Sequence, residues 1–272
     1  MNGHPPAGED HAAGSDDAGP PRIPRPRGWR ALVIAFRSLL FLALALATLV
    51  VVTPLTPLLA MPRGFVRACA NAIIRFWLWL LAAIAGLRYE VRGRENLAAA
   101  GPCLIASKHQ SAFETLALQI ILDDPAIVLK RELTRIPVAG WTMWRLRHIG
   151  INRKAGAAAL VDLVRQARKR LAEGRPVVIF PEGTRAAPFA APDYKPGVVA
   201  LYRALKVPCL PIALNSGVFW PRNSFWRFPG TIVVEILPAI PAGLDSGSFS
   251  ARLESAIETR TAELVTAALS RG

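Results

Sequence analysis

The chain has 272 residues, 52% of them hydrophobic and 19% charged, and 33 lysines and arginines against 19 acids leave a formal charge of +14. That length holds one buried core and a modest accessory segment rather than a second full domain, and a mean hydropathy of +0.32 excludes a disordered solvating chain. The charge calls for an anionic partner, and composition alone leaves nucleic acid, an acidic membrane surface and a phosphorylated small molecule open. Cys69, Cys103 and Cys209 lie too far apart for a disulfide framework or a metal-ligand cluster and fit a reducing compartment.

Residues 1–20 carry Glu9, Asp10, Asp16 and Asp17 among Gly, Ala, Pro and His, and read as a disordered leader. Five arginines and no acids follow between Arg22 and Arg37, and then Ser38 to Ala60 contains no charge. At about 1.5 Å per residue that run is long enough to cross a bilayer. A cleaved signal peptide fits poorly, because the leader is long and acidic at its start. Pro54 and Pro57 predict that the helix ends near Thr53, leaving Ser38 to Val52 as a short span, a re-entrant piece or an interfacial helix. Arg63, Arg67, Asn71 and Arg75 then recur every fourth residue, a polar stripe suited to a helix in the headgroup plane, before an uncharged stretch from Phe76 to Leu87. The alternative is a two-helix hairpin buried against the protein; the basic flank favours lipid contact. The expected organisation is a leader over 1–30, a membrane-associated hairpin or interfacial anchor over 31–87, and a main folded domain over 88–272. A single span with its arginines inside would export that domain, whereas a hairpin keeps it cytoplasmic.

From Arg88 onward, short runs rich in Val and Ile alternate with helical stretches, the pattern of an α/β domain with a parallel or mixed sheet flanked by helices. Strands are expected over Tyr89–Arg92, Cys103–Ser107, Ala126–Lys130, Val177–Phe180, Cys209–Leu214 and Ile232–Leu237, with a weaker one near Arg147–Ile151. A helix over Ala157–Glu173 shows Leu160, Val164, Ala167 and Leu171 on one face, and a terminal helix repeats Phe249, Leu253 and Ile257. The cations Arg165, Arg168, Lys169 and Arg170 read as a solvated face, and no zinc finger or RNP-like motif accompanies them.

Ser107-Lys-His-Gln-Ser-Ala-Phe-Glu114 follows an expected strand and opens a helix, so His109 falls where open α/β sheets expose reactive groups. Glu114 can hold one ring nitrogen protonated while the other accepts a proton. Glu114 also completes a capping box with Ser111, and the pattern leaves both roles open. A metal site is the weaker reading, with His148 the remaining plausible histidine ligand. Phe180-Pro-Glu-Gly-Thr-Arg185 ends a strand with a flexible glycine and a forked cation, suited either to gripping a phosphate or to an ordinary surface turn. Gly150-Ile-Asn-Arg153 places another arginine at the start of a helix. Tyr194-Lys-Pro-Gly197 and Val207-Pro-Cys-Leu-Pro211 bracket a further helix with stiff loops.

In order, the blocks Lys108–Glu114, Gly150–Arg153, Phe180–Arg185 and Val207–Pro211 resemble the glycerolipid acyltransferases, in particular the bacterial 1-acyl-glycerol-3-phosphate acyltransferases, over roughly Gly86 to Leu237. The resemblance implies that His109 is the base and Glu114 its orienting partner. It places Arg153, Glu182, Gly183, Thr184 and Arg185 around the phosphate of the acceptor, and Pro208 and Pro211 at the acyl-donor or acceptor pocket. Glu114 stands where the family usually has aspartate, and Asn152 where an aspartate is common. The implied reaction transfers a fatty acyl group from acyl-CoA or acyl carrier protein, a co-substrate rather than a cofactor, to the 2-hydroxyl of lysophosphatidate. The implied setting is the cytoplasmic face of a bacterial inner membrane rich in anionic phospholipid, with no nucleic-acid partner. Cys103 and Cys209 read as core residues rather than nucleophiles. Two other readings stay open: acylation of another lyso-lipid such as a lyso-ornithine lipid, and a passive phospholipid-headgroup-binding module.

Overall fold

The computed structural model describes residues 26–270, so the acidic leader lies outside the described residues. The apolar run forms α1 (Trp29–Val52), which passes at Pro54 into a 3-10 turn (Thr53–Ala60) because proline removes the amide an α-helix needs. After Pro62, α2 (Arg63–Leu80) runs into a single π-turn (Leu81–Ala85), and left-handed Gly86 at φ 67° releases the chain into the sheet. Both helical segments, Trp29–Ala60 and Arg63–Ala85, are long and apolar enough to cross a membrane by length and composition.

The chain continues through β1 (Leu87–Arg92), α3 (Arg94–Ala100), β2 (Leu104–Ser107), α4 (Phe113–Ile121), β3 (Ala126–Lys130) and α5 (Ala139–Arg145). It closes with β4 (Ile149–Ile151), α6 (Gly156–Ala172), β5 (Val177–Ile179), α7 (Gly197–Leu205), β6 (Cys209–Leu214), α8 (Ser216–Phe219), β7 (Gly230–Ile236) and α9 (Ser246–Leu269). All seven expected strands form, in the order β1-β7-β6-β2-β5-β3-β4. Strands β6, β2, β5, β3 and β4 are mutually parallel, with Ala106 opposite both Ile179 and Pro211, while β7 runs antiparallel to β6 and carries β1 parallel to itself. Five strands therefore end on one edge, where open parallel sheets offer their loops to ligands.

Side chains alternate across the sheet, as a period of two requires. Ile105 and Val178 join a core with α4 and the hairpin residues Phe41, Leu78 and Leu81, whereas Leu104, Ala106, Val177 and Ile179 join Leu163, Leu201, Phe249 and Leu253 on the other face. Leu163 and Ala167 are the buried residues of α6, with Leu160, Val164 and Leu171 only partly covered beside them, so the packing face is turned slightly from the expected one. Cys103 and Cys209 are fully buried in these layers, and burial pushes the Cys103 thiol up to about 11.

The polar stripe of α2 departs from its expected place. Arg63 pairs with Asp124 and donates to the Leu146 carbonyl at 3.3 Å, Arg67 lies 3.2 Å from Asp123, and Asn71 accepts from Gln119 at 3.4 Å. These three face the α/β domain rather than a headgroup plane, because a turn after α4 presents two carboxylates to the arginines; Arg75 alone of the four is exposed. Both ends of the hairpin are tied down. Near one end Ser38 Oγ accepts from the Arg227 amide at 2.9 Å and Phe41 meets Trp220 edge-on at 6.0 Å; at the other Arg145 Nε donates to the Leu59 carbonyl at 2.8 Å.

Candidate active site

The loop 108–112 leaves the end of β2 and returns immediately into α4, which puts Glu114 in the first helical turn and at the same time below His109. The Glu114 side chain is fully buried and accepts five hydrogen bonds. Its Oε1 lies 2.9 Å from His109 Nδ1 and accepts the amides of Gln110 at 2.6 Å and Ser111 at 2.7 Å. Its Oε2 accepts the hydroxyls of Ser111 and Ser216, each at 2.9 Å. The two contacts open to Glu114 thus coexist, since the carboxylate serves the Ser111 amide and the imidazole together. Ser111 Oγ accepts from the Phe113 amide at 2.9 Å and closes the turn.

Burial works to raise the Glu114 carboxyl, but the bond and charge of His109, with the Ser111 amide, more than offset it and leave the group below the usual carboxylate range. An ionised Glu114 requires a proton on Nδ1 of the imidazole, which leaves the Nε2 lone pair as the acceptor. The ring is held on its flat side by Phe180, with centroids 4.1 Å apart and planes inclined by 21°.

A second buried carboxylate supports the same loop. Glu182 Oε1 accepts from Lys108 Nζ at 2.6 Å, and Oε2 accepts from the His109 amide at 3.1 Å. Lys108 also reaches both oxygens of Glu258 on α9 at 2.8 Å, and Tyr194 donates to Glu258 at 2.9 Å. Burial raises the Glu182 carboxyl, and Lys108 only partly reverses this. The Tyr194 phenol is likewise pushed up by burial and by Glu258. Glu182 is therefore turned inward, its oxygens occupied, and a buried anion at this point repels a phosphate instead of holding one. The remainder of its turn faces outward. Gly183 adopts φ 66°, and a side-chain carbon placed there would lie 3.6 Å from the Arg153 guanidinium and from Lys195. The Ala186 amide donates to the His109 carbonyl at 2.8 Å, and Arg222 donates to the Arg185 carbonyl at 2.8 Å. Thr184 is exposed and Arg185 half-exposed on this turn.

A family model described as Acyltransferase matches residues 88–215. A 1-acyl-sn-glycerol-3-phosphate acyltransferase from Pseudomonas aeruginosa is 40% identical over 217 residues, 77% of this chain and 82% of that one. The chain belongs to this acyltransferase family. A human relative, 1-acyl-sn-glycerol-3-phosphate acyltransferase beta, is 31% identical over 176 residues, 64% of this chain and 62% of its own length. The crystal structure of the 1-acyl-sn-glycerophosphate acyltransferase from Thermotoga maritima shares the fold, with a TM-score of 0.66 over 88% of this chain and 99% of that chain at 18% identity.

Two expected parts of the acyltransferase site lie elsewhere. Pro208 precedes β6 and its carbonyl accepts from the Leu104 amide at 3.0 Å, at the edge of the sheet opposite His109. Pro211 is buried inside β6 against Ala106. Both prolines shape the strand, and neither lines the catalytic edge, because a parallel strand entering the sheet presents its first residues to the far side. Asn152 caps the turn Arg153–Ala155 by accepting from the Lys154 amide at 3.2 Å. His148 Nδ1 accepts from the Ile127 amide at 3.1 Å, and burial with the nearby Arg175 lowers it to about 3, so it is a neutral strand-end acceptor. Among the described residues no group of three or more His, Cys, Asp or Glu side chains is placed to hold a metal ion.

Sequence reasoning missed Ser216, Glu258, the bond from Tyr194 to Glu258 and the burial of Lys108. Lys108 carried one signal, a lysine directly before the proposed base at the end of an apolar strand. Glu258 is 150 residues from its partner and resembles any other polar position of α9.

Proposed function

We propose that this acyltransferase moves a fatty acyl group from the thioester of acyl-CoA or acyl carrier protein to the 2-hydroxyl of 1-acyl-glycerol-3-phosphate, giving phosphatidate and the free thiol. The observation that carries the reading is His109, held through Nδ1 by a five-donor carboxylate with Nε2 left to accept a proton at the edge where five strands end. Nε2 takes the hydroxyl proton as the oxygen attacks the thioester carbonyl carbon; the carbon–sulfur bond breaks, and the departing sulfur receives that proton from the imidazole. The exchange is redox-neutral and passes through no acyl-enzyme. Arg153, Gly183, Thr184 and Arg185 hold the acceptor phosphate, and Glu182 positions the His109 loop from behind. The names of the relatives support the acceptor, and the outward-facing arginine turn suits its charge.

The hairpin, tied to the domain near Ser38 and again at Leu59, lies along a bilayer surface rather than standing across it. Its exposed Leu32, Phe36, Leu44, Leu46 and Val50 enter one leaflet, on the cytoplasmic side of an anionic inner membrane where both candidate donors are found. His109→Ala is expected to lower turnover by about 10²–10⁴-fold with the fold retained. Near-normal turnover overturns the assignment of the base. A panel of lyso-lipid acceptors read by product mass tests the acceptor, and preference for a lyso-ornithine lipid overturns it.

A further inference from the structure

Beyond Arg88, large exposed apolar side chains are few, and four of them cluster in one segment. Leu133, Ile136, Trp141 and Trp144 are 40%, 47%, 43% and 70% exposed. Around them stand Lys130, Arg131, Arg135, Arg145 and Arg147, with Glu132 the lone acid between Ala126 and Leu146. The segment is rigidly built. Gly140 lets α5 close on the preceding 3-10 turn (Arg131–Arg135), where an added side-chain carbon would come within 2.3 Å of the Leu133 carbonyl. Val138 is held at φ 60°, costly for a β-branched residue, and with Thr142 it lines an apolar cleft shared with Leu55, Leu59 and Phe65 of the hairpin. Arg145 ties the same segment to the carbonyls of Leu59 and Met61.

We propose that residues 131–147 form a second membrane contact, in which Trp141 and Trp144 enter the headgroup boundary of an anionic bilayer while Arg131 and Arg135 meet its phosphates. The proposal rests on the reading that the hairpin lies on that bilayer. Tryptophan flanked by arginine is the composition of the membrane interface, and a contiguous exposed apolar patch on a basic rim marks a surface with a partner. Continuity with the exposed hairpin through the Arg145 bonds makes that partner lipid. The placement has a catalytic consequence. Lys130 ends β3, two strands from β2 or about 10 Å across the sheet, so this contact would hold the catalytic edge at the level where a lysolipid headgroup lies.

The test uses the full chain with Cys69→Ser, nitroxide-labelled at Trp144→Cys, Val50→Cys or Val161→Cys, in vesicles of phosphatidylethanolamine and phosphatidylglycerol. Power saturation then compares access of oxygen with access of a water-soluble nickel chelate. The expected result is an oxygen-favoured label at positions 144 and 50 and a chelate-accessible one at 161 on α6. A lipid-facing label at 50 with an aqueous one at 144 overturns the second contact and leaves the hairpin reading standing; aqueous labels at both overturn the two together. Protection of position 144 only on adding acyl carrier protein overturns the proposal in favour of a carrier-docking surface. In a second arm, Trp141→Ala/Trp144→Ala is expected to raise KM about ten-fold for vesicle-borne lysophosphatidate, with kcat within about two-fold and a monomeric short-chain acceptor unaffected. Equal loss on both acceptors, or no recovery in Trp141→Phe/Trp144→Phe, overturns it.

Discussion

Two buried carboxylates flank His109, and they are pushed in opposite directions. Glu114 is 0% exposed and Glu182 3%, so desolvation opposes the charge of each. Burial raises Glu114 too, but the hydrogen bond and charge of His109 and the Ser111 amide outweigh it and leave Glu114 below the usual carboxylate range, with three donors on one oxygen and two on the other. Glu182 lies above it because burial outweighs what Lys108 and the His109 amide give back, and Glu258, which shares the same ammonium, adds like charge. Depth of burial does not decide what a carboxylate does; the number and charge of its donors do. The first group is arranged to hold a tautomer, the second to hold a loop.

The comparison breaks most sharply at Glu114. Glu114→Gln keeps the shape but replaces an acceptor oxygen with a donor, so His109 loses its oriented tautomer; steady-state kinetics should show kcat lower by about 10³–10⁴-fold. Undiminished turnover would leave Glu114 a helix cap. Lys108→Met should act on stability first, because it strands Glu182 as an unpaired buried charge, with an expected loss of about 3–5 kcal/mol in chemical denaturation. The double variant Lys108→Met/Glu182→Gln should recover part of that loss, and strict additivity would deny the coupling. Ser216→Ala removes one of two hydroxyls on Glu114 Oε2, and turnover about ten-fold lower is expected from the loss of a charged hydrogen bond of roughly 1.5–3 kcal/mol.

The pH dependence of stability should separate the two carboxylates by sign. The depressed Glu114 contributes stability that is present above its unfolded value, about 4.3 for a glutamate, and is lost as pH falls through the folded value. The raised Glu182 binds its proton more tightly when folded, so its contribution declines as pH rises from the unfolded value through the folded one. Melting curves of Glu114→Gln and Glu182→Gln across the acid range should therefore diverge from the parent with opposite slopes, and parallel curves would refute the assignment. The smallest effect belongs to Glu258→Gln. Its side chain is 24% exposed, Lys108 retains Glu182, and a cost of about 1 kcal/mol or less is expected.

Much of this architecture was legible along the chain because it is local. Val- and Ile-rich runs of the right length became strands, and the five-residue step from His109 to Glu114 spans one loop and the first turn of a helix, so its geometry follows from backbone alone. The direction of charged side chains was not legible. Arg63, Arg67 and Asn71 have the spacing of a solvent-facing stripe, yet Asp123 and Asp124 draw the two arginines inward from more than fifty residues away. Pro208 belongs to a recognisable block but enters the sheet from the wrong edge, a fact settled by strand direction and not by motif.

Sequence by itself determined an apolar, basic-flanked stretch before Arg88, an α/β domain after it, and a histidine five residues ahead of an acid at a strand end, because each depends on periodicity or on neighbours a few residues apart. Tertiary structure alone decided that Ser216 completes the Glu114 cradle from 102 residues away and that Glu258 shares Lys108 with Glu182 from 150. A buried charge is stabilised by whatever donors the fold brings to it, and those donors come from strands adjacent in the sheet and helices packed on it, whose order along the chain carries no record of the meeting.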